Sequence, residues 1–398
     1  DKGITGANWS ILEGNAVLFN SVVVKNKGER DRLFKAFYHD GTRRHDAFLF
    51  ALNFFTPENL WPEPLGYSFD VARRMTLMME VIDRNDDLFN VDVFGVKPKF
   101  LDGIFVYENL TYPTEEKLRY GDASRLREPV EDAYQLVLAI AQRKGLNTYR
   151  TLAEGAIANV YQKRGGYKPT ITSSSLGYED PLKLLWGVNF DLNKAKAPKK
   201  DSAVYLSHAN IIMQRNYNTS NTLDHGLMYY TGGGTYVHAH ASGIDMELYG
   251  AGKVMGNDYG WGQYGTDLHD KYATKHAAHN TVIVNGFATQ GEIINGNPWN
   301  TVMDKTALLA AEPASFKEPL SRDFSFSCKK LDDKINDADH QRCVAMVRTA
   351  DTAGYYVDFS RAKSKGQDLF SDYLYHNMGD RTTIQTMAGA NVKLNNTP

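Results

Sequence analysis

The chain has 398 residues, 42% of them hydrophobic, and its 45 Lys and Arg against 47 Asp and Glu leave a formal charge of −2. That length exceeds one average core and points to two domains, while the balanced charge lacks the broad basic field that nucleic-acid binding needs. No run approaches the roughly 18 apolar residues of a membrane span and no charged-then-apolar leader opens the chain, so a soluble protein is expected, with any anionic substrate held in a local cleft.

The first twenty residues already read as site-bearing sequence, so a signal peptide or preceding helices are expected to belong to a longer parent. From Asn8 to about Val188 the pattern is helical. Val130, Ala133, Tyr134, Val137 and Ile140 recur at three- and four-residue spacing, and Gly145 follows Arg143 and Lys144 as a stop. Similar stripes run through Ser10 to Val24, Ser68 to Ile82 and Thr151 to Gln162. The lysine-rich segment Asn193 to Asp201 reads as a linker. We therefore expect a helical domain over 1–192, a linker over 193–201 and a second domain over 202–398.

In that second domain the period falls to two. Ile244, Met246 and Leu248 alternate with Asp245, Glu247 and Tyr249, and short β-branched or aromatic runs at Thr281 to Val284 and Tyr355 to Phe359 are separated by turns such as Gly232-Gly233-Gly234. An antiparallel β-sandwich is predicted, which makes the fold class α+β multidomain. Cys328 and Cys343 flank a polar segment and could sit on paired strands; a disulfide and two free thiols are both compatible with that spacing.

Seven of the eleven histidines fall between His208 and His279. In Tyr236-Val237-His238-Ala239-His240 a strand would put both imidazoles on one face, about 7 Å apart at the backbone. Downstream lie Asp258, in a Gly/Asn turn, and His279. Two imidazoles and a carboxylate are a common shell for Zn²⁺, Mn²⁺ or a related ion such as Ca²⁺; satisfied polar side chains on a wet sheet face are the plainer alternative. Trp261 and Tyr264, in the Gly-rich loop beside Asp258, are expected to line a cleft and stack on sugar rings.

These motifs resemble the heparinase II/III-like polysaccharide lyases. The stretch Gly234-Thr-Tyr-Val-His238-Ala-His240 followed by Ile244-Asp245-Met-Glu-Leu248 looks like that family's His-x-His strand and its acidic-apolar successor. Gly256-Asn-Asp258-Tyr-Gly260 resembles its D-x-G turn, and His279-Asn-Thr-Val-Ile-Val-Asn-Gly286 its HNTV signature. The resemblance implies an α/α toroid before the β-sandwich. It makes His238 catalytic or substrate-neutralising, and His240, Asp258 and His279 the ligands of a largely structural ion, commonly zinc. Thr5-Gly-Ala-Asn8-Trp9 is similar to the helix start that offers an asparagine to the uronate carboxylate, and His45 and Tyr67 resemble the "DG…H" and "G-Y" elements of toroidal lyases. Trp9 departs from the histidine of several members, and about twenty residues separate His45 from Tyr67.

What the resemblance implies chemically is β-elimination. The C5 proton of a uronide is removed once its carboxylate is neutralised, which Asn8 with His45 or His238 would do. A Tyr67 phenol of lowered pKa would serve as base and acid on one sugar face, or as acid alone with a histidine as base across two faces. Asn8 also sits where a helix N-cap would. The expected substrate is an anionic uronate polymer, alginate before a glycosaminoglycan, degraded outside the cell or in the periplasm. A non-catalytic carbohydrate-binding protein and a zinc hydrolase are the competing readings. The sequence leaves the oligomeric state open.

Overall fold

The computed structural model describes residues 6–125, 131–163, 165–166, 186–233, 238–286, 292–293, 301–302, 306–317, 319–333, 336–367, 370–377, 385–386 and 388–392. The first half holds α1 (Asn8–Val23), α2 (Lys27–Lys35), α3 (Phe48–Phe54), α4 (Leu65–Arg84), the short α5 (Asp86–Phe89), α6 (Val93–Val96) and α7 (Asp102–Val106), then α8 (Glu131–Lys144) and α9 (Asn147–Lys163).

The amphipathic stripes become helices that bury their apolar sides, and α4 shows what decides its place. Fourteen of its 20 residues are buried, among them Leu65, Phe69, Val71, Ala72, Met75, Met78, Met79 and Ile82, so α4 lies at the centre, packed on α1 and α8. Where charge falls on α4 it is paired. The buried Glu80 carboxylate binds Arg84 and Arg143 at 2.5 Å each, and Asp83 binds Arg143 at 2.6 Å and Lys144 at 2.9 Å. Gly145, left-handed at φ +69°, ends α8 as its position foretells. Asn8 departs from expectation. Ala7 occupies the N-cap of α1 without a side-chain cap, and Asn8 is the first helical residue.

The second half is a sandwich. One sheet runs β1 (Ala203–Leu206), β2 (Ile211–Asn216), β3 (Leu227–Thr231), β4 (Met246–Gly250), β5 (Lys253–Met255) in spatial order. Short strands β6 (Val282–Val284), β7 (Glu292–Ile293) and β8 (Thr301–Val302) follow. The second main sheet comprises β9 (Thr306–Glu312), β10 (Phe324–Asp333), β11 (Ala338–Ala350) and β12 (Ala353–Ser364) in the order β12-β11-β10-β9, and β13 (Ser371–Tyr373) pairs with β6. All described pairings are antiparallel. Leu227, Tyr229, Met246 and Leu248 of the first sheet meet Val344 and Met346 of the second, which forms the inner layer. Cys328 and Cys343 are register partners on β10 and β11 and form a disulfide.

Polar contacts fix the helical half onto the first sheet. Glu247 of β4 is fully buried, ion-paired with Arg125, and accepts from Tyr112 Oη at 2.8 Å and from the Asp258 backbone N–H at 3.0 Å. Arg119 Nη1 donates to the Asp258 and Tyr259 carbonyls at 2.8 and 3.0 Å. The 110–125 segment is thereby fixed against the loop that follows β5.

His208, in the turn between β1 and β2, has both ring nitrogens buried without a hydrogen bond. Burial lowers its pKa to about 4, with the charge of Glu58 opposing. The unfolded chain takes up this proton near pH 6.5 and the folded one only near 4, so stability is full above pH 6.5 and falls as pH drops through that window. We expect His208→Gln to flatten the slope of urea midpoint against pH between 6.5 and 4; an unchanged slope contradicts this assignment.

Candidate active site

Where the two halves meet, one carboxylate gathers three histidines. Asp122 lies in the loop after Gly121, whose φ is +60° and where a Cβ would sit 2.4 Å from the His238 carbonyl oxygen. Glycine is required for this approach. It lets the Asp122 backbone N–H donate to that carbonyl at 3.0 Å. Asp122 Oδ2 then lies 3.1 Å from His238 Nδ1, and Oδ1 lies 2.9 Å from His240 Nε2 and 3.0 Å from His269 Nε2. Burial opposes ionisation of Asp122, but the hydrogen bonds from the three imidazoles outweigh it and hold its carboxyl well below the usual range.

His238 and His240 do converge, though not by strand alternation as predicted. Residues 238–240 form no strand, and His238 has φ +65°, a left-handed conformation that a non-glycine residue adopts at a cost. Contact with Gly121 and Asp122 maintains it. Residues 234–237 of the motif, and Thr5 of the Asn8 motif, lie outside the described residues.

Tyr67, in the first turn of α4, stacks its ring on the His238 imidazole at 4.0 Å between centroids and 3° between planes. Its hydroxyl lies 2.8 Å from that of Tyr264, which donates to Asp122 Oδ2 at 2.9 Å and lies 3.1 Å from His238 Nδ1. Burial raises the pKa of both phenols, and their mutual hydrogen bond opposes this in Tyr67 but adds to it in Tyr264. The lowered pKa expected for Tyr67 is thus not found; burial favours the neutral phenol. Trp261, half-exposed, places its ring 5.6 Å from that of Tyr264.

Asn8 and His45 stand further out. The Asn8 backbone N–H donates to Glu63 Oε1 at 3.2 Å, which also accepts from Trp61 Nε1 at 2.8 Å. Glu63 Oε2 is 3.8 Å from His238 Nε2. Asn8 is therefore one residue removed from His238. His45 Nε2 pairs with Glu13 Oε2 at 2.7 Å, which ties it to α1.

A second buried group lies beside the first. His279 Nε2 bonds to the Ala273 carbonyl at 3.1 Å, so that nitrogen carries the proton, and Nδ1 faces Asp258 Oδ2 at 2.6 Å and Asp245 Oδ2 at 3.7 Å. Burial works against protonation of His279, but the charges and hydrogen bonds of Asp258 and Asp245 push its pKa up to about 10. An imidazole nitrogen and a carboxylate oxygen in contact need a cation between them, a second proton or a metal ion. Asp245, Asp258 and His279 hold one ligand atom each within 4.8 Å of one another, and Asp122, His240 and His269 form a comparable set. His240 bridges the two. Its ring lies 5.4 Å from that of His279, and its Nδ1 is buried without a hydrogen bond. The donor set therefore fits a divalent ion, which would take His279, Asp258 and Asp245 with His240 adjoining.

Sequence reasoning missed Asp122, Glu63, His269 and Asp245. Asp245 carried a signal, an acid within an otherwise buried alternation, and His269 sits in a π-helical segment, Leu268–Ala273, of the kind frequent at functional sites. Asp122 and Glu63 carried none. If the metal reading holds, elemental analysis finds about one divalent ion per chain, and His279→Ala removes both the ion and several degrees of Tm. A metal-free protein of undiminished Tm contradicts it.

A helical half packed on an antiparallel sandwich is the fold that the motif resemblance implies. Residues 199–307 match the heparinase II/III-like C-terminal family and residues 57–201 the second-domain family of endo-acting ulvan lyase, so the resemblance read from the motifs is borne out. A curated relative, the endo-acting ulvan lyase of Formosa agariphila, is 35% identical over 97% of this chain, which spans 48% of that protein. Among solved structures, a heparinase III gene product with methylated lysines superposes with a TM-score of 0.55 at 11% identity, covering 94% of this chain and 48% of its own. A mutant of the heparan sulfate lyase HepC from Pedobacter heparinus gives 0.55 at 13%, covering 91% and 52%. At these identities the structures establish the fold.

Proposed function

We propose that the chain is the catalytic portion of a polysaccharide lyase that cleaves a uronate-containing polymer, ulvan first, by β-elimination. The observation that carries this reading is the Tyr67–His238 stack tied through Tyr264 and Asp122, because it joins a neutral phenol and an oriented imidazole in one place. The relative's name supports ulvan. Alginate, favoured from composition, becomes the comparison substrate.

In this reading Asp122 accepts the Nδ1 proton of His238 and leaves the Nε2 lone pair free to take the C5 proton of the uronide. Tyr67, protonated because its site is desolvated, delivers a proton to the leaving O4 oxygen. Asn8 offers an uncharged donor to the substrate carboxylate, and Trp261 with Tyr264 offers ring faces to a neighbouring sugar. A bound ion would supply fixed positive charge, and its residues, His279, Asp258 and Asp245, would hold the 256–264 loop and with it Tyr264. The enzyme would act outside the cell or in the periplasm, where such polymers are met.

The test is ultraviolet absorbance of the conjugated 4,5-unsaturated uronate during separate incubations with ulvan, alginate, glucuronan, hyaluronan, chondroitin and heparin. The steepest rise is expected with ulvan. Binding of a polymer without any rise would favour a non-catalytic carbohydrate-binding protein.

A further inference from the structure

In a chain whose charges nearly cancel, one open groove of about 670 Å³ concentrates Lys199, Lys200, Arg215, Lys317 and Arg322 against Asp201, the single lining acid among the described residues. It shares no lining residue with the Tyr67–His238 stack and is formed by the end of the lysine-rich linker, the end of β2, the 313–323 connection between β9 and β10, and the start of β10. Elsewhere basic side chains are commonly paired, as Arg143, Lys144 and Lys365 are. None of these five is ion-paired with a carboxylate among the described residues. Asp201 is engaged otherwise, since its Oδ2 accepts from Asn109 Nδ2 at 2.9 Å. Glu318, next to Lys317 in sequence, lies outside the described residues.

Arg215 and Lys200 are held by hydrogen bonds, and the other three cations are exposed. Arg215 is 5% exposed and donates to the carbonyls of Asp201 and Asn109, leaving its Nε without a partner. Lys200 Nζ donates to Thr111 Oγ1 at 2.6 Å. Lys199, Lys317 and Arg322 are exposed at the rim. Tyr217, Pro313, Pro319 and the half-exposed Phe324 also line the groove. Rings and cations lining one groove suit a strand of acidic sugars, whose rings stack while their anionic groups meet Lys and Arg. An open groove suits a polymer better than a small anion.

We infer that this groove is a second glycan-binding site, distinct from the proposed cleavage site, that holds an acidic polysaccharide through its carboxylates or sulfate esters. The choice of a glycan rests on the lyase reading; the unpaired charge does not. The test uses the full chain and a Lys199→Ala/Lys317→Ala/Arg322→Ala variant, whose substitutions are exposed and should leave Tm unchanged. Affinity is measured for dextran sulfate, polygalacturonate and double-stranded DNA. Loss of three exposed charge contacts should weaken glycan binding about tenfold. A loss confined to polygalacturonate identifies carboxylate recognition, and a loss that includes dextran sulfate identifies sulfate esters. Unchanged affinity for both glycans overturns the site, and an equal loss for DNA overturns the choice of a glycan. Failure of the lyase reading would be seen separately, as absence of unsaturated product.

Discussion

Tyr67→Phe should lower kcat about a thousandfold, the scale of a lost general acid, while KM and polymer binding stay within a few-fold. The substitution removes one hydroxyl and keeps the ring that stacks on His238 at 4.0 Å. The stability change should be near 1 kcal/mol, the net value of one hydrogen bond, here that to Tyr264 at 2.8 Å. Because desolvation raises the Tyr67 pKa, the acid stays protonated through the neutral range. Activity should therefore hold on the alkaline side up to the ordinary tyrosine range of about 10. Retention of more than a few per cent of activity would remove Tyr67 from the mechanism.

Asp122→Asn should be the more damaging change to the fold. It leaves three imidazoles facing a group that can no longer accept at both oxygens, and the loss of one partner from a buried charged network typically costs about 3–5 kcal/mol. Turnover should fall at least a hundredfold, because His238 and Tyr264 both take their orientation from Asp122 Oδ2. The pH dependence separates positioning from simple destabilisation. The folded pKa of Asp122 is depressed, so its contribution is present above the unfolded value of about 4 and is lost as pH falls through the folded one. Wild-type stability should drop below pH 4 more steeply than that of the variant. Urea unfolding at several pH values reads this, and parallel curves would show that Asp122 carries no such linkage.

The helices were legible because each hides one stripe, and α4, α8 and α9 follow their apolar spacing to within a few residues. The second domain was legible as strands for the same reason, and the density of histidines marked the site. The wiring was not. Asp122 meets His238 across 116 positions of sequence, and its role comes from the meeting of a loop of the helical half with a loop of the sandwich. The left-handed backbone at His238 turned an apparent strand into a turn, because Gly121 and Asp122 press against it. Asp245 was read as one acid on an alternating strand, yet it lies fully buried with Asp258 and His279. The Cys328 and Cys343 spacing allowed a bond, and register pairing on β10 and β11 decided it.

The most direct test of the account is a digest of ulvan in heavy-oxygen water, followed by mass spectrometry of the new chain ends. Elimination across C4 and C5 breaks the C–O bond without adding water, so the account predicts unsaturated uronate ends, one water lighter than a hydrolytic product and free of label. Saturated uronate ends, one water heavier, would contradict it and assign the acids and histidines to a hydrolase.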